Sequence, residues 1–496
     1  MVDIISPEID AAALAPFIIV TVGALVALLL DLVVPPTRRS FIGYFALGTV
    51  LAALGACVPL WDRGRYAFSD MIRVDNFALF FGIVTLGATA LSILLAIDYI
   101  QVAEIDLGEY HPLILFTTAG MLLLIVANDL LLLFIALEIL SMGLYILVGF
   151  ARGNRRSEES ALKYFLLGSF SLGFLVYGTS LIYGASGTTN FTALATALGD
   201  DQVRTSPLML AGVALILVGL GFKLALAPFH AWTPDVYSGA PTSVTAFMSV
   251  GTKVATFAAL IRLVLTGVPT LREDWSPALW ALAAVTMIVG NLAAVTQRNI
   301  KRMLAYSSIG QAGYILVAVV AADSPRRDVS GDALQSVLFY LLAYTFMNLG
   351  AFAVVIALGR AGRERLDLTA DYAGLAHQHP YLAGALALFM LSLGGIPPTA
   401  GFIAKLTVFR AAVSAGYWPL ALVGVVTSVI ALAFYLRVIV LMYTRDAHET
   451  VAEPPHRLPI PLAVVLTICV LVTLQMGILP ALSLDWAQQA LFVVAR

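Results

Sequence analysis

The chain has 496 residues, 60% of them hydrophobic and only 12% charged, a balance that excludes a soluble globular protein and leaves a polytopic membrane protein. A net charge of −2 excludes a nucleic-acid partner and a polybasic lipid-binding tail. Its two cysteines, Cys57 and Cys469, both fall in apolar segments, which argues against a disulfide scaffold or a cysteine-ligated metal site.

The chain begins MVDIISPEIDAAALAPF, with acids and no Lys or Arg before the first apolar run. It lacks the positive region of a cleavable signal, so that run is read as a retained first helix. Apolar runs of membrane length follow in order near 12–33, 41–60, 75–97, 111–127, 129–150, 160–184, 208–229, 241–266, 276–296, 302–321, 334–358, 382–411, 417–443 and 459–480. The expectation is therefore an all-α polytopic fold of about fourteen transmembrane helices, whose even number puts both termini on one side. With Met1 outside, fifteen basic residues, among them Arg38, Arg152, Arg302, Arg360, Arg363, Arg365, Arg445 and Arg457, fall at cytoplasmic ends. Ten, among them Arg63, Arg204, Arg262 and Arg496, fall on the other side. That excess favours both termini outside, although the loop Asp98 to Glu109, with acids and no Lys or Arg, argues locally the other way.

Three basic residues remain inside apolar runs: Lys223, Lys253 and Lys405. A lysine at the centre of a bilayer costs about 3 kcal/mol, so three of them must be paired or used. The chain has five lysines against 23 arginines. Wherever a permanent charge suffices at a membrane edge it uses Arg; in mid-membrane it uses Lys, which can give up a proton near neutral pH when buried. Glu138, in LLLLFIALEILSMGLYILVGF, is the carboxylate nearest the middle of a run and the expected partner of a lysine. A static ion pair that fixes helix packing is the alternative, but one carboxylate cannot neutralise three lysines.

Two runs are interrupted, the seventh at LALAPFHAW and the twelfth at LSLGGIPPTAGFIAKL, where Pro228 and Gly394, Gly395, Pro397 and Pro398 cannot continue a regular helix. The breaks are five helices apart. An odd spacing makes a unit of helices 4–8 (residues 111–266) and one of helices 9–13 (267–443) opposite in orientation, an inverted repeat between an N-terminal segment 1–110 and a C-terminal segment 444–496. The match is incomplete, since Lys223 precedes its proline while Lys405 follows its pair. Polar residues lie between these charges: Ser307, Ser308, Gln311 and Tyr314 in the tenth run, and Tyr340, Tyr344 and Asn348 at i, i+4, i+8 in the eleventh. They could relay protons from Lys253 toward Lys405, or could join helices by hydrogen bonds. His230 is suited to proton relay, and equally to satisfying the backbone groups freed by the break.

KLALAPFHAWTPDVYSGAPTSVTAFMSVGTKVA, QRNIKRMLAYSSIGQAGYILVAV and SLGGIPPTAGFIAKLTVF together resemble the antiporter-like proton-pumping subunits of respiratory complex I, NADH:quinone oxidoreductase. ALKYFLLGSFSLGFLVYGTSLIYGASGTTNF, and lysine rather than glutamate at position 405, are most similar to the N-subunit branch. The resemblance implies that Glu138 and Lys223 are partners in a proton path that continues through Lys253 to Lys405. It further implies roles for His230, Lys163 and Glu109. It places FMN, iron–sulfur clusters and quinone in other subunits of a hetero-oligomeric bacterial inner-membrane complex, with no cofactor or metal in this chain. The sequence itself has no strand-based Gly-rich dinucleotide motif, and its two apolar-segment cysteines cannot hold a cluster. A subunit of a multisubunit cation/proton antiporter or membrane-bound hydrogenase is the alternative, and a structural spacer using buried charges only for packing is a third.

Overall fold

Inside a bilayer a run of apolar residues can satisfy its backbone only as a helix, and that is what the computed structural model contains. It describes residues 10–359, 364, 366–444 and 458–491. The chain ends and Arg360, Arg363, Arg365, Arg445, Arg457 and Arg496, which entered the orientation argument, lie outside the described residues. Among the described residues eleven helices are long and apolar enough to cross a membrane, and three further apolar helices are shorter.

The helices are α1 Ala15–Asp31, α2 Ser40–Cys57, α3 Asn76–Val102, α4 Tyr110–Val126, α5 Leu130–Val148, α6 Arg155–Ser186, α7 Pro207–Leu224, α8 Trp232–Gly239 and α9 Thr242–Arg262. They continue with α10 Arg272–Val295, α11 Ile300–Ala321, α12 Arg327–Leu358, α13 Pro380–Gly394, α14 Ala400–Ser414, α15 Trp418–Thr444 and α16 Ile460–Ile478. The seventh run ends as a helix at Leu224, before Pro228, and the short α8 follows it, while the twelfth divides into α13 and α14 around Pro397 and Pro398. A two-stranded antiparallel hairpin, β1 Arg65–Ala67 with β2 Ile72–Val74, joins α2 to α3. The sequence reading places no strand there, because three residues carry no detectable period.

Burial follows polarity in the sense opposite to that of a soluble protein. Every residue of α9 is buried, although it carries Thr242, Ser243, Thr245, Ser249, Thr252, Lys253 and Thr256. By contrast α6 turns Leu162, Phe165, Leu166 and Phe170 outward. Lipid is as apolar as leucine, so apolar side chains lose nothing outside, whereas hydroxyls and ammonium groups must find partners between helices. α9 packs against α3, α4, α12 and α7, and so forms the axis of the bundle.

Candidate functional site: a buried polar line between two broken helices

α7 stops at Leu224. Ala225 takes a left-handed conformation (φ 59°), its amide bonds the Phe222 carbonyl at 3.0 Å, and the Leu226 amide reaches back to Gly221 at 2.8 Å. This doubly bonded closure satisfies two of the carbonyls at the helix end. Two residues before the closure Lys223 leaves the helix sideways. Its Nζ donates to Ser141 Oγ on α5 at 2.8 Å and to Tyr164 OH on α6 at 3.0 Å, and lies 5.2 Å from the Tyr164 ring centroid.

Glu138, the expected partner of Lys223, makes no ion pair with it within 4.0 Å. Ser141, one turn beyond Glu138 on the same helix, takes the hydrogen bond instead. A neutral hydroxyl column here needs no carboxylate to be desolvated beside the ammonium.

The break leads into α8, which ties to α6 at two points. Trp232 stacks on Tyr164 with centroids 4.7 Å apart and donates Nε1–H to the Phe222 carbonyl at 3.0 Å. One turn later Asp235 binds Lys163 at 2.9 Å, and on its other oxygen Arg302 of α11. Lys163 also pairs with Glu159 at 2.7 Å. Desolvation pulls the Asp235 carboxyl up, but hydrogen bonds from Lys163 and Arg302 hold it below the usual carboxylate range. His230, half-buried in the break, has its Nδ1 buried without a hydrogen-bond partner among the described residues. Glu109 is exposed at the start of α4 and joins no ion pair among the described residues, so the structure does not bring it to the lysines.

Lys253 sits halfway along α9, 1% exposed, and donates to the Ser308 carbonyl at 2.6 Å. The Ser308 hydroxyl accepts from Tyr344 OH at 2.8 Å. The predicted stripe on α12 faces these helices throughout: Tyr344 meets Ser308, Asn348 donates to Ser249 at 2.5 Å, and Tyr340 donates to Gln311. Gln311 Nε2 then donates to Tyr435 OH at 3.2 Å and to the Leu393 carbonyl at 3.0 Å.

Leu393 belongs to the last turn of α13, whose end repeats that of α7. Gly395 is left-handed (φ 84°), its amide bonds Ser392 at 2.9 Å, and the Ile396 amide bonds Leu391 at 3.0 Å. Lys405, from α14, folds back over this closure. Its Nζ donates to the Gly394 carbonyl at 3.0 Å and lies 4.6 Å from the Tyr314 ring centroid. The free carbonyls of a helix C-terminus and the face of a phenol ring thus stand in for the absent acid. Separate clusters of polar groups thus surround Lys223, Lys253 and Lys405, the three lysines singled out by the sequence.

Two further buried cations were counted among the boundary charges. Lys301 is fully buried, donating to the Ala240 carbonyl at 2.6 Å and to Glu364 at 2.9 Å. Glu364 also accepts from Tyr99 OH at 2.7 Å and the Thr242 amide at 3.0 Å. Arg262 is likewise buried, forked onto Asp75 at 2.8 and 3.1 Å. Both cations sit at helix ends, where sequence position alone reads as a membrane edge. Only the carboxylates, from a loop and from the N-terminal cap of α3, reveal their burial.

Residues 127–431 match the family described as NADH:quinone oxidoreductase/Mrp antiporter, transmembrane. NADH-quinone oxidoreductase subunit N of Trichlorobacter lovleyi is 44% identical over 486 residues, covering 98% of both chains. The subunit N of Chloroflexus aggregans is 46% identical over 494 residues, again covering 98% of both. The chain belongs to the subunit N family. A chain of respiratory complex I from Thermus thermophilus, a structure with bound aureothin, is similar to this subunit N family member at 36% identity and TM-score 0.78, covering 95% of this chain and 98% of that one. A chain of the Mrp complex from Dietzia sp. is similar at 25% identity and TM-score 0.83, covering 97% of each.

Proposed function

We propose that this subunit N family member is a proton-translocating subunit of the membrane arm of an NADH:quinone oxidoreductase. Protons pass along Lys223, Lys253 and Lys405, with Glu138, His230, Lys163 and Tyr344 as auxiliary groups and Glu109 at the exposed margin. Oxidation of NADH and reduction of quinone, with the FMN and iron–sulfur clusters they need, belong to other subunits. The observation that carries the reading is the set of three buried ammonium groups, two at broken helices and one on the central helix between them, each held by its own polar partners. These partners divide by what they can do. The Ser308 and Gly394 carbonyls only accept, so they hold an ammonium still. The hydroxyls of Ser141, Tyr164, Ser308, Tyr344 and Tyr435 both accept and donate, so they can hand a proton on.

Two inverted five-helix units, 111–266 and 267–443, flanked by 1–110 and 444–496, are the domain organisation this reading favours. The same closure at Ala225 and at Gly395 supports it. The subunit is placed in the bacterial inner membrane beside the other membrane-arm subunits, with both termini outside. The test is proton uptake by vesicles measured together with quinone-linked NADH oxidation. Lys223→Ala and Lys405→Ala are each expected to lower the ratio of protons moved to NADH oxidised with the complex still assembled, and Lys405→Glu to recover part of it. An unchanged ratio in both alanine variants refutes the relay. The Dietzia match favours a second reading, a cation/proton antiporter subunit, which co-purification with a quinone-reducing peripheral arm would eliminate.

A further inference from the structure

We infer that α8 is a brace between the two halves of the molecule and that Asp235 is its positioning residue, sharing one carboxylate between Lys163 of α6 and Arg302 of α11. The inference rests on the proton-relay reading and adds a residue to it. α8 is only eight residues long, yet its contacts land on or beside the helices that carry named stations. Trp232 stacks on Tyr164, the hydroxyl that accepts from Lys223, and holds the carbonyl of Phe222, the residue before Lys223. The Tyr237 carbonyl accepts at 3.0 Å from the Thr245 hydroxyl of α9, the helix that carries Lys253. Between these two contacts lies Asp235.

The two cations on Asp235 come from opposite sides of the chain. Lys163 precedes Tyr164 directly, so a displacement of Lys163 along α6 carries the Lys223 acceptor with it. Arg302 lies in the first turn of α11, less than two turns before Ser308. Its neighbour Lys301 bonds the Ala240 carbonyl and Glu364, which fastens the far end of α8 to the same turn. The carboxylate is thus where a change of charge in one half is felt by the other.

The surroundings make the contact adjustable rather than fixed. A cleft of about 270 Å³ opens beside it, lined by Arg156, Glu159, Lys163, Asp235 and Arg302 with Ser160, Ser238, Gly239 and Asn299. The Lys163 and Asp235 side chains are 42% and 36% exposed. Lys163 has a second acid, Glu159, at 2.7 Å, so it can leave Asp235 without losing every counter-charge. Arg302 makes no other ion pair among the described residues and stays. Loss of the carboxylate would leave Arg156, Lys163 and Arg302 facing Glu159 alone, and a cation cluster short of one acid holds its protons less firmly.

The experiment uses the whole complex in vesicles, with proton movement and NADH oxidation followed across pH. Asp235→Asn keeps shape and removes charge. It is expected to lower the proton-to-NADH ratio by more than about twofold and to move the pH profile of pumping toward acid by about one unit, the scale of one lost neighbouring charge. Asp235→Glu should restore both. Should Asp235→Asn fail to assemble, Arg302→Gln, which leaves the Lys163 bond in place, serves in its stead and should lower the ratio. Unchanged ratio and profile in the variant that assembles overturn the brace. Lys223→Ala is run alongside: if it alone is defective, the brace falls and the relay stands; if it also pumps normally, the relay itself has failed.

Discussion

Lys253 shows how little room a buried ammonium is given. One carbonyl at 2.6 Å holds it, and the next hydroxyls are those of Ser308 and Tyr344. Arginine there would be permanently charged and too broad for a single acceptor. Lys253→Arg should therefore slow proton pumping by roughly a hundredfold, the lower end of what a positioned proton-transfer group contributes. Pumping at the parental rate would mean that charge alone is needed. The lysines were legible in the sequence because a lone charge in an apolar run stands out. Their acceptors were not: Ser141 and Tyr164 lie 82 and 59 residues from Lys223 and look like ordinary helix residues. Sequence alone therefore points to Glu138, the carboxylate nearest the middle of a run, and not to the hydroxyls.

The breaks in α7 and α13 were legible from Pro228 and from the Gly394 to Pro398 stretch, because proline and glycine act locally. What decides their detail is not local. Both closures need a left-handed residue, which is alanine at 225 and glycine at 395. At the first, Lys223 turns away to α5 and α6. At the second, Lys405 folds over the cap, and a Cβ on residue 395 would come within 2.9 Å of its Cδ. Gly395→Ala is thus expected to cost about 1–3 kcal/mol for the conformation and to displace the Lys405 stem. Reduced pumping with a lowered melting temperature of the solubilised complex is the expected result; a lowered melting temperature with parental pumping would separate the cap from the lysine. α8 was hidden because eight residues after a break carry no period, and with it Asp235.

Across the whole molecule three helices meet at Glu364, which gathers Tyr99 of α3, Thr242 of α9 and Lys301 of α11. Nothing in a loop residue announces this. Desolvation raises the Glu364 carboxyl, but the Lys301 charge and the hydrogen bonds outweigh it, leaving the group below its ordinary value of 4.5. A carboxylate lowered on folding stabilises above its unfolded value and loses that contribution as pH falls toward its folded one. The melting temperature of Glu364→Gln should therefore lie below that of the parent at pH 7, with the gap shrinking as pH drops below about 4.5. A gap independent of pH would assign the loss to packing rather than charge.

α9 is anchored at both extremities. Thr242 is tied at one to Glu364, which Lys301 of α11 also holds, and Arg262 is forked onto Asp75 at the other. Removing one partner of a buried ion pair costs about 3–5 kcal/mol, so any stroke of this helix along its axis must break the Arg262–Asp75 pair together with the hydrogen bonds that hold Thr242 to Glu364. The helix that carries Lys253 is consequently a stator rather than a piston.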